Sequence, residues 1–418
     1  MSDIIGTNPE PDVSAPGSTS AASVEVPEYI QRQSFGQMLR NDLGFIPVLF
    51  TLLAIVAFFA IISNGVFLEP QNLSDLVLQI AQFGILGLGV VLVLLLGEID
   101  LSVAAVSTLC SVVMAVLSER MGASALVAIL LALLAGALVG FVNGVFVAIL
   151  RVPSFIVTLA GSIGYAGLLL NLLNGQSTLI IRNDFIVAIA GTPTSFLPNS
   201  LGIGLPTIAV LLYVGSLILS YTRRKRAGLR TTALPQLIAQ SVIAVILVEG
   251  AVILFQNYNG VPYSTALLFG LIALFWLIMT KTSFGRYVYA VGGNAEAARR
   301  AGINVVWIRI AAFTLCSTLA ALGGIVAASR GLSVASQIQP TLLLDAIAAA
   351  VIGGVSLFGG RGSVWAVVLG ALIIGSLENG LNLKSQGADI KEIVEGVVLL
   401  IAVTVDAVVR RLQARSGR

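Results

Sequence analysis

Five carboxylate residues lie within or beside long apolar runs, and their side chains could bind a polar substrate or relay protons. They are Glu98, Asp100, Glu249, Asp345 and Glu378. A charged side chain at the centre of a lipid bilayer costs about 2.5–3.5 kcal/mol on insertion scales, so such residues usually serve a function. Glu249 and Glu378 are near enough to the ends of their runs to be interfacial instead. Asp345 follows Gln339-Pro340, a typical helix start, so it could either interact with a helix N-terminus or line a pathway.

Two of the carboxylates belong to Gly97–Ser102, with the sequence GEIDLS, which separates two apolar runs. Asp and Ser are common helix-capping residues. The segment therefore predicts a helix break in which Asp100 holds backbone N–H groups and Glu98 faces a polar cavity. Such a break within a membrane requires surrounding protein or water. The other interpretation is a tight cytoplasmic turn.

Several kinds of chemistry are excluded or disfavoured. The chain has no histidine, which excludes imidazole metal sites, histidine-based catalytic triads and histidine pH switches. Cys110 and Cys316 both lie in apolar runs, as expected of buried small side chains and not of a disulfide framework or zinc site. The positive residues are not gathered on a soluble basic face, so a nucleic-acid partner is not expected. We expect no catalytic residue, bound metal or cofactor in this chain.

The overall composition is that of a membrane protein. Of 418 residues, 57% are apolar and only 10% are charged, against about 25% charged in soluble domains. The mean hydropathy is +1.00, so the apolar surplus must face lipid. An all-α polytopic membrane domain over 35–418 is predicted. Residues 1–34 are rich in Pro, Ser, Thr and Ala and predict a disordered cytoplasmic tail, not a cleaved signal peptide.

Twelve segments have roughly the 20 mostly apolar residues of a membrane-spanning helix. Two pairs abut closely, around 97–101 and 358–363, so ten spans with two re-entrant pieces is the alternative. The twelve are 44–63, 76–97, 101–118, 123–150, 155–173, 205–221, 235–256, 264–280, 307–329, 342–357, 364–383 and 392–409.

The distribution of Lys and Arg predicts the orientation. If both termini are cytoplasmic, only five of the 23 Lys and Arg residues face outward. These five are Arg120, Arg182, Arg330, Lys384 and Lys391. We therefore expect both termini inside and an even number of spans.

Small residues recur every fourth position in the fourth span and form one smooth stripe along it. They are Ala128, Ala132, Gly136, Gly140, Gly144 and Ala148. Small residues let helices approach closely in membranes. We expect this helix to be buried in a compact bundle and not to face lipid.

The longest basic connection, Lys281–Arg309, predicts a short amphipathic helix on the inner face. Asn294 is a suitable N-cap for a helix over 295–301, and Gly302 would end it. Such a helix has the form of a docking element, although a plain basic anchor at the membrane surface is the other interpretation.

Four segments together resemble the permeases of bacterial ATP-binding cassette (ABC) importers for monosaccharides, in order and spacing over most of 40–410. The segments are Gly97–Ser102 (GEIDLS), Arg151–Gly161 (RVPSFIVTLAG), Gly285–Ile303 and Ala346–Ser363 (AIAAAVIGGVSLFGGRGS). The chain is most similar to the xylose-type permeases. Those carry an extra hydrophobic pair around a basic loop, matched here by 205–256 with Arg223–Arg226, followed by a segment like Asn257–Pro262.

The resemblance implies that a separate cytoplasmic ATPase binds ATP and supplies the power. The chain agrees with this, since it has no phosphate-binding loop of the type GxxxxGK[ST] and no Gly-Lys pair. The coupling surface would comprise Gly285, Arg286, Gly292, Asn294, Glu296, Arg299, Arg300 and Gly302. We expect the translocation pathway among Glu98, Asp100, Ser102, Ser154, Phe155, Thr158 and Asp345.

The resemblance also implies a multi-pass protein of the bacterial inner membrane that carries a monosaccharide, xylose or a related pentose. A periplasmic sugar-binding protein would deliver the sugar, and 174–204 is long enough to form part of its docking surface. Because the chain has one copy of the Gly285–Ile303 pattern, we expect two copies of the chain to work as a homodimer.

Two other transporter classes compete with this interpretation. Branched-chain amino-acid ABC permeases share the Gly-x-Ile-Asp-Leu-Ser pattern. A proton-coupled sugar transporter also has about twelve spans, but its major family carries a D-R-x-G-R loop where this chain has Gly-Glu-Ile-Asp. A membrane-embedded enzyme is disfavoured because no nucleophile motif is present.

Overall fold

The computed structural model describes residues 45–415 apart from 193, 230 and 232, and these residues are mainly helical. The tail expected over 1–34 lies outside the described residues. The helices are α1 Phe45–Ile62, α2 Pro70–Leu95, α3 Val103–Ala115, α4 Ala125–Ala148, α5 Ser154–Leu173, α6 Asp184–Val187, α7 Asn199–Arg226, α8 Leu234–Gln256, α9 Tyr263–Lys281, α10 Ser283–Gly293, α11 Ala295–Arg300, α12 Val305–Gly331, α13 Pro340–Ile352, α14 Ala366–Leu383 and α15 Ala388–Arg415. The strands are β1 Thr178–Ile180 and β2 Ser333–Ala335.

Each of the twelve predicted spans coincides with one helix, counting the π-helical turn Val116–Arg120 that continues α3. Within the described residues, nine helices are long and apolar enough to cross a membrane. Helices α1 and α13 contribute shorter apolar stretches, and α15 carries several charges in its first two turns. The structure therefore supports a multi-pass membrane protein, while the number twelve and the orientation remain predictions.

Helices α2 and α12 form the centre of the bundle. Nearly all of α2 is buried, and α12 packs against α2, α3 and α4. Glycines permit this packing: a Cβ added at Gly89 of α2 would lie 2.9 Å from the carbonyl oxygen of Cys316. At Gly324 an added Cβ would overlap the carbonyl oxygen of Ser107 on α3. The helices thus touch backbone to backbone.

The small-residue stripe of α4 lies against α12, and all six of its members are buried. A Cβ added at Gly136 would lie 2.8 Å from the carbonyl oxygen of Ser317, and one at Gly140 would overlap that of Phe313. The predicted close approach is confirmed. The prediction that α4 is buried in the bundle is wrong for its other face, which is exposed in the single chain, with Leu134 at 63% and Leu138 at 62%. Only the side of α4 that carries the stripe packs against α12.

Helices α7 and α8 form a peripheral hairpin that corresponds to the predicted extra hydrophobic pair. They pack against each other and leave most of their apolar side chains exposed. Glu249 is half-buried on α8. The hairpin adds apolar surface to the bundle without entering its core.

The bundle has two distinct ends. One end, which we call the basic end, carries the connections 96–102, 149–153, 282–304 and 353–363. At the opposite end, β1 pairs with β2 in antiparallel register, with Leu179 opposite Val334. The segment expected to dock a binding protein, 174–204, lies at this opposite end, where the N–H of Asn183 donates to Glu119 Oε1 (3.2 Å) and that of Ala190 donates to Ser329 Oγ (2.8 Å).

Candidate functional site

A pair of short helices, α10 and α11, lies at the basic end where one short helix was predicted. The Asn294 side chain accepts a hydrogen bond from the Ala297 N–H (2.9 Å), which confirms the predicted N-cap. Gly302 ends α11 with φ +83°. The preceding helix, α10, was not predicted. It starts at the Thr282 hydroxyl, which accepts from the Gly285 N–H (3.4 Å).

Helix α11 presents a charged, exposed face. Glu296 pairs with Arg299 and Arg300, each at 3.2 Å, and the three side chains are 56–80% exposed. On the other side of the helix, Ala298 is buried against the bundle. The helix can therefore offer both signs of charge to a partner while its inner side stays anchored.

Two glycines join α10 to the rest of the basic end. A Cβ at Gly292 would overlap the carbonyl oxygen of Leu95, at the end of α2. The same carbonyl oxygen accepts from the Gly360 N–H (2.9 Å). The Tyr289 hydroxyl also donates to the carbonyl oxygen of Gly362 (3.0 Å). Helix α10, the end of α2 and the 353–363 connection therefore meet at one backbone junction.

The connection 96–102 is a compact turn between α2 and α3. Gly97 adopts φ +75°, a conformation that glycine accepts without steric cost. Asp100 Oδ1 accepts from the Ser102 N–H (2.8 Å) and from the Ser102 hydroxyl (2.6 Å). Asp100 thus holds local backbone at the start of α3, as predicted. Because the turn joins two helices at the basic end, the geometry favours the turn interpretation over a broken helix.

A chain of polar side chains leads from Asp100 across three helices. The Asn143 amide donates to Ser102 Oγ (3.2 Å), and the Tyr165 hydroxyl donates to Asn143 Oδ1 (2.8 Å). Asp100, Ser102 and Asn143 are buried, whereas Tyr165 is half-buried on α5. The Cys316 thiol of α12 also lies beside Asp100. Oδ1 of Asp100 is therefore part of an interior hydrogen-bond network, while its Oδ2 is buried without a hydrogen-bond partner among the described residues.

Two hydroxyls of α5 hold the turn from its other side. Ser154 Oγ accepts from the Ile99 N–H (3.2 Å), and Thr158 Oγ1 accepts from the Leu101 N–H (3.0 Å). Both serine and threonine are buried, while Phe155 between them is 51% exposed on the outer face of α5. The second motif thus supports the first through two N–H donors that would otherwise lack partners.

Glu98 points away from this network into a cleft at the basic end. Its Oε1 lies 3.1 Å from Nη2 of Arg309 on α12, and both side chains are largely buried. The cleft has a volume of about 420 Å³ and is also lined by Arg151 and Arg299. This arrangement agrees with the expected polar cavity, although the polar residues around it are mostly arginines.

Asp345 is separate from the other pathway candidates. It is 5% exposed on α13 and lines a smaller cavity of about 160 Å³ with Glu392 and Glu395 of α15. Among the described residues no hydrogen bond to its carboxylate is found. The structure therefore gathers Glu98, Asp100, Ser102, Ser154 and Thr158 at the basic end and places Asp345 between α13 and α15.

Sequence reasoning missed three polar members of the site: Asn143, Tyr165 and Arg309. Asn143 is the one polar side chain in α4, and a lone amide in an apolar span would have indicated an interior partner. In the sequence, Arg309 is recognisable only as part of the positive loop. Nothing in the sequence indicates that it faces Glu98, which lies far away along the chain.

Residues 72–403 match a sequence family described as the branched-chain amino acid transport system / permease component. No solved structure matches the chain significantly. The chain is 37% identical to the xylose transport system permease protein XylH of Escherichia coli (strain K12), covering 86% of this chain and 91% of that protein. It is 33% identical to the ribose import permease protein RbsC of the same organism (85% and 92% covered) and 29% identical to the fructose import permease protein FrcC of Rhizobium meliloti (96% of each).

The four motifs that supported the resemblance all lie within this aligned range, and they contact one another at the turn 96–102 and the junction beside it. The Ala346–Ser363 motif takes part through Gly360 and Gly362. The chain therefore belongs to the family described as the branched-chain amino acid transport system / permease component, and the relatives named above are sugar permeases.

Proposed function

We propose that this chain is the membrane-spanning permease of a bacterial ABC importer and that it translocates a monosaccharide, xylose or a related pentose. One observation carries the proposal. The exposed helix α11 is joined through α10 to the end of α2 and the 353–363 connection, at the Leu95–Gly292–Gly360 junction. A displacement of α11 by a bound partner would therefore be transmitted through α10 to the end of α2.

The exposed face of α11 supports docking of a cytoplasmic ATPase. Glu296, Arg299 and Arg300 are accessible and are held by a helix whose cap and end are both well defined. Gly285 and Gly292 allow α10 to lie close to its neighbours, since a Cβ at either would overlap backbone. In this proposal the ATPase binds ATP and hydrolyses it, and the permease has no catalytic residue or cofactor of its own.

The proposed translocation pathway runs between two copies of the chain. An ABC ATPase pair needs two docking helices, and the sequence contains one Gly285–Ile303 pattern. A two-fold axis would supply the second. Asp345 is the strongest pathway candidate away from the basic end. It borders a cavity, and its carboxylate has no hydrogen-bond partner among the described residues. A permease that is fully active with its ATPase as a monomer, by native mass measurement in mild detergent, would contradict this.

The names of the relatives support a sugar as substrate. The relatives named above are xylose, ribose and fructose permeases, whereas only the family description mentions branched-chain amino acids. The protein would lie in the inner membrane with both termini in the cytoplasm. A periplasmic binding protein would deliver the sugar at the opposite end, near 174–204.

The test is ATP-driven uptake by proteoliposomes that contain this chain, its ATPase and its binding protein. Xylose, ribose, fructose and leucine are supplied in turn. We expect uptake of a pentose, which should cease without ATP or without the binding protein. Leucine uptake without sugar uptake would overturn the proposal, and sugar uptake without ATP would favour a proton-coupled carrier.

A further inference from the structure

We propose that the arginine cleft at the basic end receives an acidic segment of the cytoplasmic ATPase, as a second docking point beside α11. The inference rests on the proposed function and extends it. Apart from Glu98 and Arg299, the residues that line the cleft were not predicted as part of any site.

The cleft is built where the ends of two packed helices separate. One wall is the end of α4 with the connection to α5, including Val147, Ala148 and Pro153. The opposite wall is the start of α12, with Val305 and Val306, and Arg299 of α11 lies at the rim. At about 420 Å³, the space can hold a few side chains of an inserted segment.

Its charge is positive and incompletely neutralised. Arg151, Arg299 and Arg309 line the cleft with one carboxylate, Glu98. Glu98 pairs with Arg309 alone, and Arg309 Nε is buried with no acceptor within the part of the chain that the structure describes. Arg151 is exposed, and the described residues provide no ion-pair or hydrogen-bond partner for its side chain. The cleft therefore lacks anionic groups for two of its donors.

The start of α12 adds to the attraction for an anion. The first N–H groups of a helix have no acceptor within the helix, and its dipole places partial positive charge there. In the described structure the Asn304 side chain accepts from the Trp307 N–H (3.1 Å), and no bond from the Val305 or Val306 N–H is found there. A carboxylate that entered beside Val305 would meet these donors together with the guanidinium of Arg309, and charge-assisted hydrogen bonds of this kind are the strong ones.

Two features favour a protein segment over a free anion. The walls carry apolar residues on both sides of the cleft, which would suit the aliphatic stem of a Glu or a neighbouring apolar residue; they are Val147, Ala148, Pro153, Val305 and Val306. In addition, Arg299 belongs both to the cleft and to the exposed face of α11. A partner seated on α11 would therefore have its adjoining residues at the mouth of the cleft.

Arg151 provides the sharpest test because its side chain makes no hydrogen bond or ion pair among the described residues. Its backbone has φ +57°, so Arg151→Glu and Arg151→Lys carry the same backbone requirement and differ in charge. Arg224→Glu makes the same charge reversal at the exposed end of α7, away from the cleft. The measurement is the affinity of each nanodisc-embedded permease for its nucleotide-free ATPase subunit, at low and at physiological ionic strength.

We expect Arg151→Glu to weaken ATPase binding about tenfold and to reduce its salt dependence, because a favourable charge contact becomes repulsive. Arg151→Lys should retain most of the affinity, and Arg224→Glu should bind as the wild type does. Wild-type affinity and salt dependence in Arg151→Glu would overturn the proposal. So would inorganic phosphate that stabilises the wild type but not Arg151→Glu while ATPase affinity is equal, since the cleft would then be a free-anion site.

The failure of this inference is distinguishable from failure of the proposed function. If the wild-type permease takes up sugar with ATP and Arg151→Glu binds the ATPase normally, only the second docking point is wrong. If the wild type neither binds an ATPase nor transports sugar with ATP, both are wrong.

Discussion

Glu98 and Arg309 form an ion pair, with 3.1 Å between Oε1 and Nη2, that ties the turn between α2 and α3 to the start of α12. The two side chains are only 15% and 25% exposed, so this pair is shielded from water far more than the Glu296 pairs on α11. It is the electrostatic link between the GEIDLS motif and the helix that follows the surface pair α10–α11.

The pair predicts a charge-swap rescue. Glu98→Arg or Arg309→Glu alone should lower both the thermal stability and sugar uptake, because each places two like charges together in a partly buried site. The double variant should recover part of both, with a coupling free energy of about 0.5–3 kcal/mol. Unfolding curves in detergent and proteoliposome uptake measure this. Additive losses in the double variant would show that the pair is not coupled.

The junction at Leu95 predicts a contrast between adjacent glycines. A Cβ at Gly292 would overlap the Leu95 carbonyl oxygen, whereas a Cβ at Gly293 would meet no atom within 4 Å. Gly292→Ala should therefore displace α10 and cost about 1–3 kcal/mol through overpacking, with loss of coupling between ATP hydrolysis and uptake.

Gly293→Ala is the matched control and should transport like the wild type. The measurement is the ratio of ATP hydrolysed to sugar taken up by the reconstituted importer. An unchanged ratio in Gly292→Ala would mean that the close approach at this junction does not transmit movement.

The Asp100 cap predicts graded effects of substitution. Asp100→Asn keeps one side-chain oxygen that can accept from the Ser102 N–H, so its effect should be mild, whereas Asp100→Leu removes the acceptor and should cost about 0.5–2 kcal/mol for the cap. The loss of folding free energy in Asp100→Leu should exceed that of the cap alone, because the Ser102 hydroxyl and the Asn143 amide also belong to this network. Thermal unfolding and uptake assays check this order. Equal behaviour of both variants and wild type would contradict a capping role.

The exposed face of α11 predicts an uncoupled but folded variant. Arg299→Glu with Arg300→Glu places three acidic side chains on one exposed turn and should abolish ATP-driven uptake while the protein inserts and purifies normally. Arg223→Glu with Arg224→Glu, at the exposed end of α7, is the control with the same change in net charge. Wild-type uptake by the α11 variant would show that the ATPase docks elsewhere.

Local features of this protein were readable from its sequence. The long apolar runs predict the helices, and the position of Asn294 before Ala295 predicts its cap. The spacing of Gly136, Gly140 and Gly144 predicts the close packing of α4. Each depends on residues within a few helical turns, where periodicity and capping chemistry are sufficient. The motif resemblance likewise identified the family, because it needed only order and spacing.

The relations between distant segments were decided by tertiary packing. The face of α4 opposite the small-residue stripe is also apolar, so composition alone could not indicate that Leu134 and Leu138 face outward. The pairing of Glu98 with Arg309, and of Ser154 with the Ile99 N–H, joins residues far apart in the chain. Such contacts depend on how the ends of α2, α5 and α12 come together in space, which no local pattern encodes. The sequence by itself determined which helices form and which family they belong to, and only the packed bundle decided that their polar groups meet at one end.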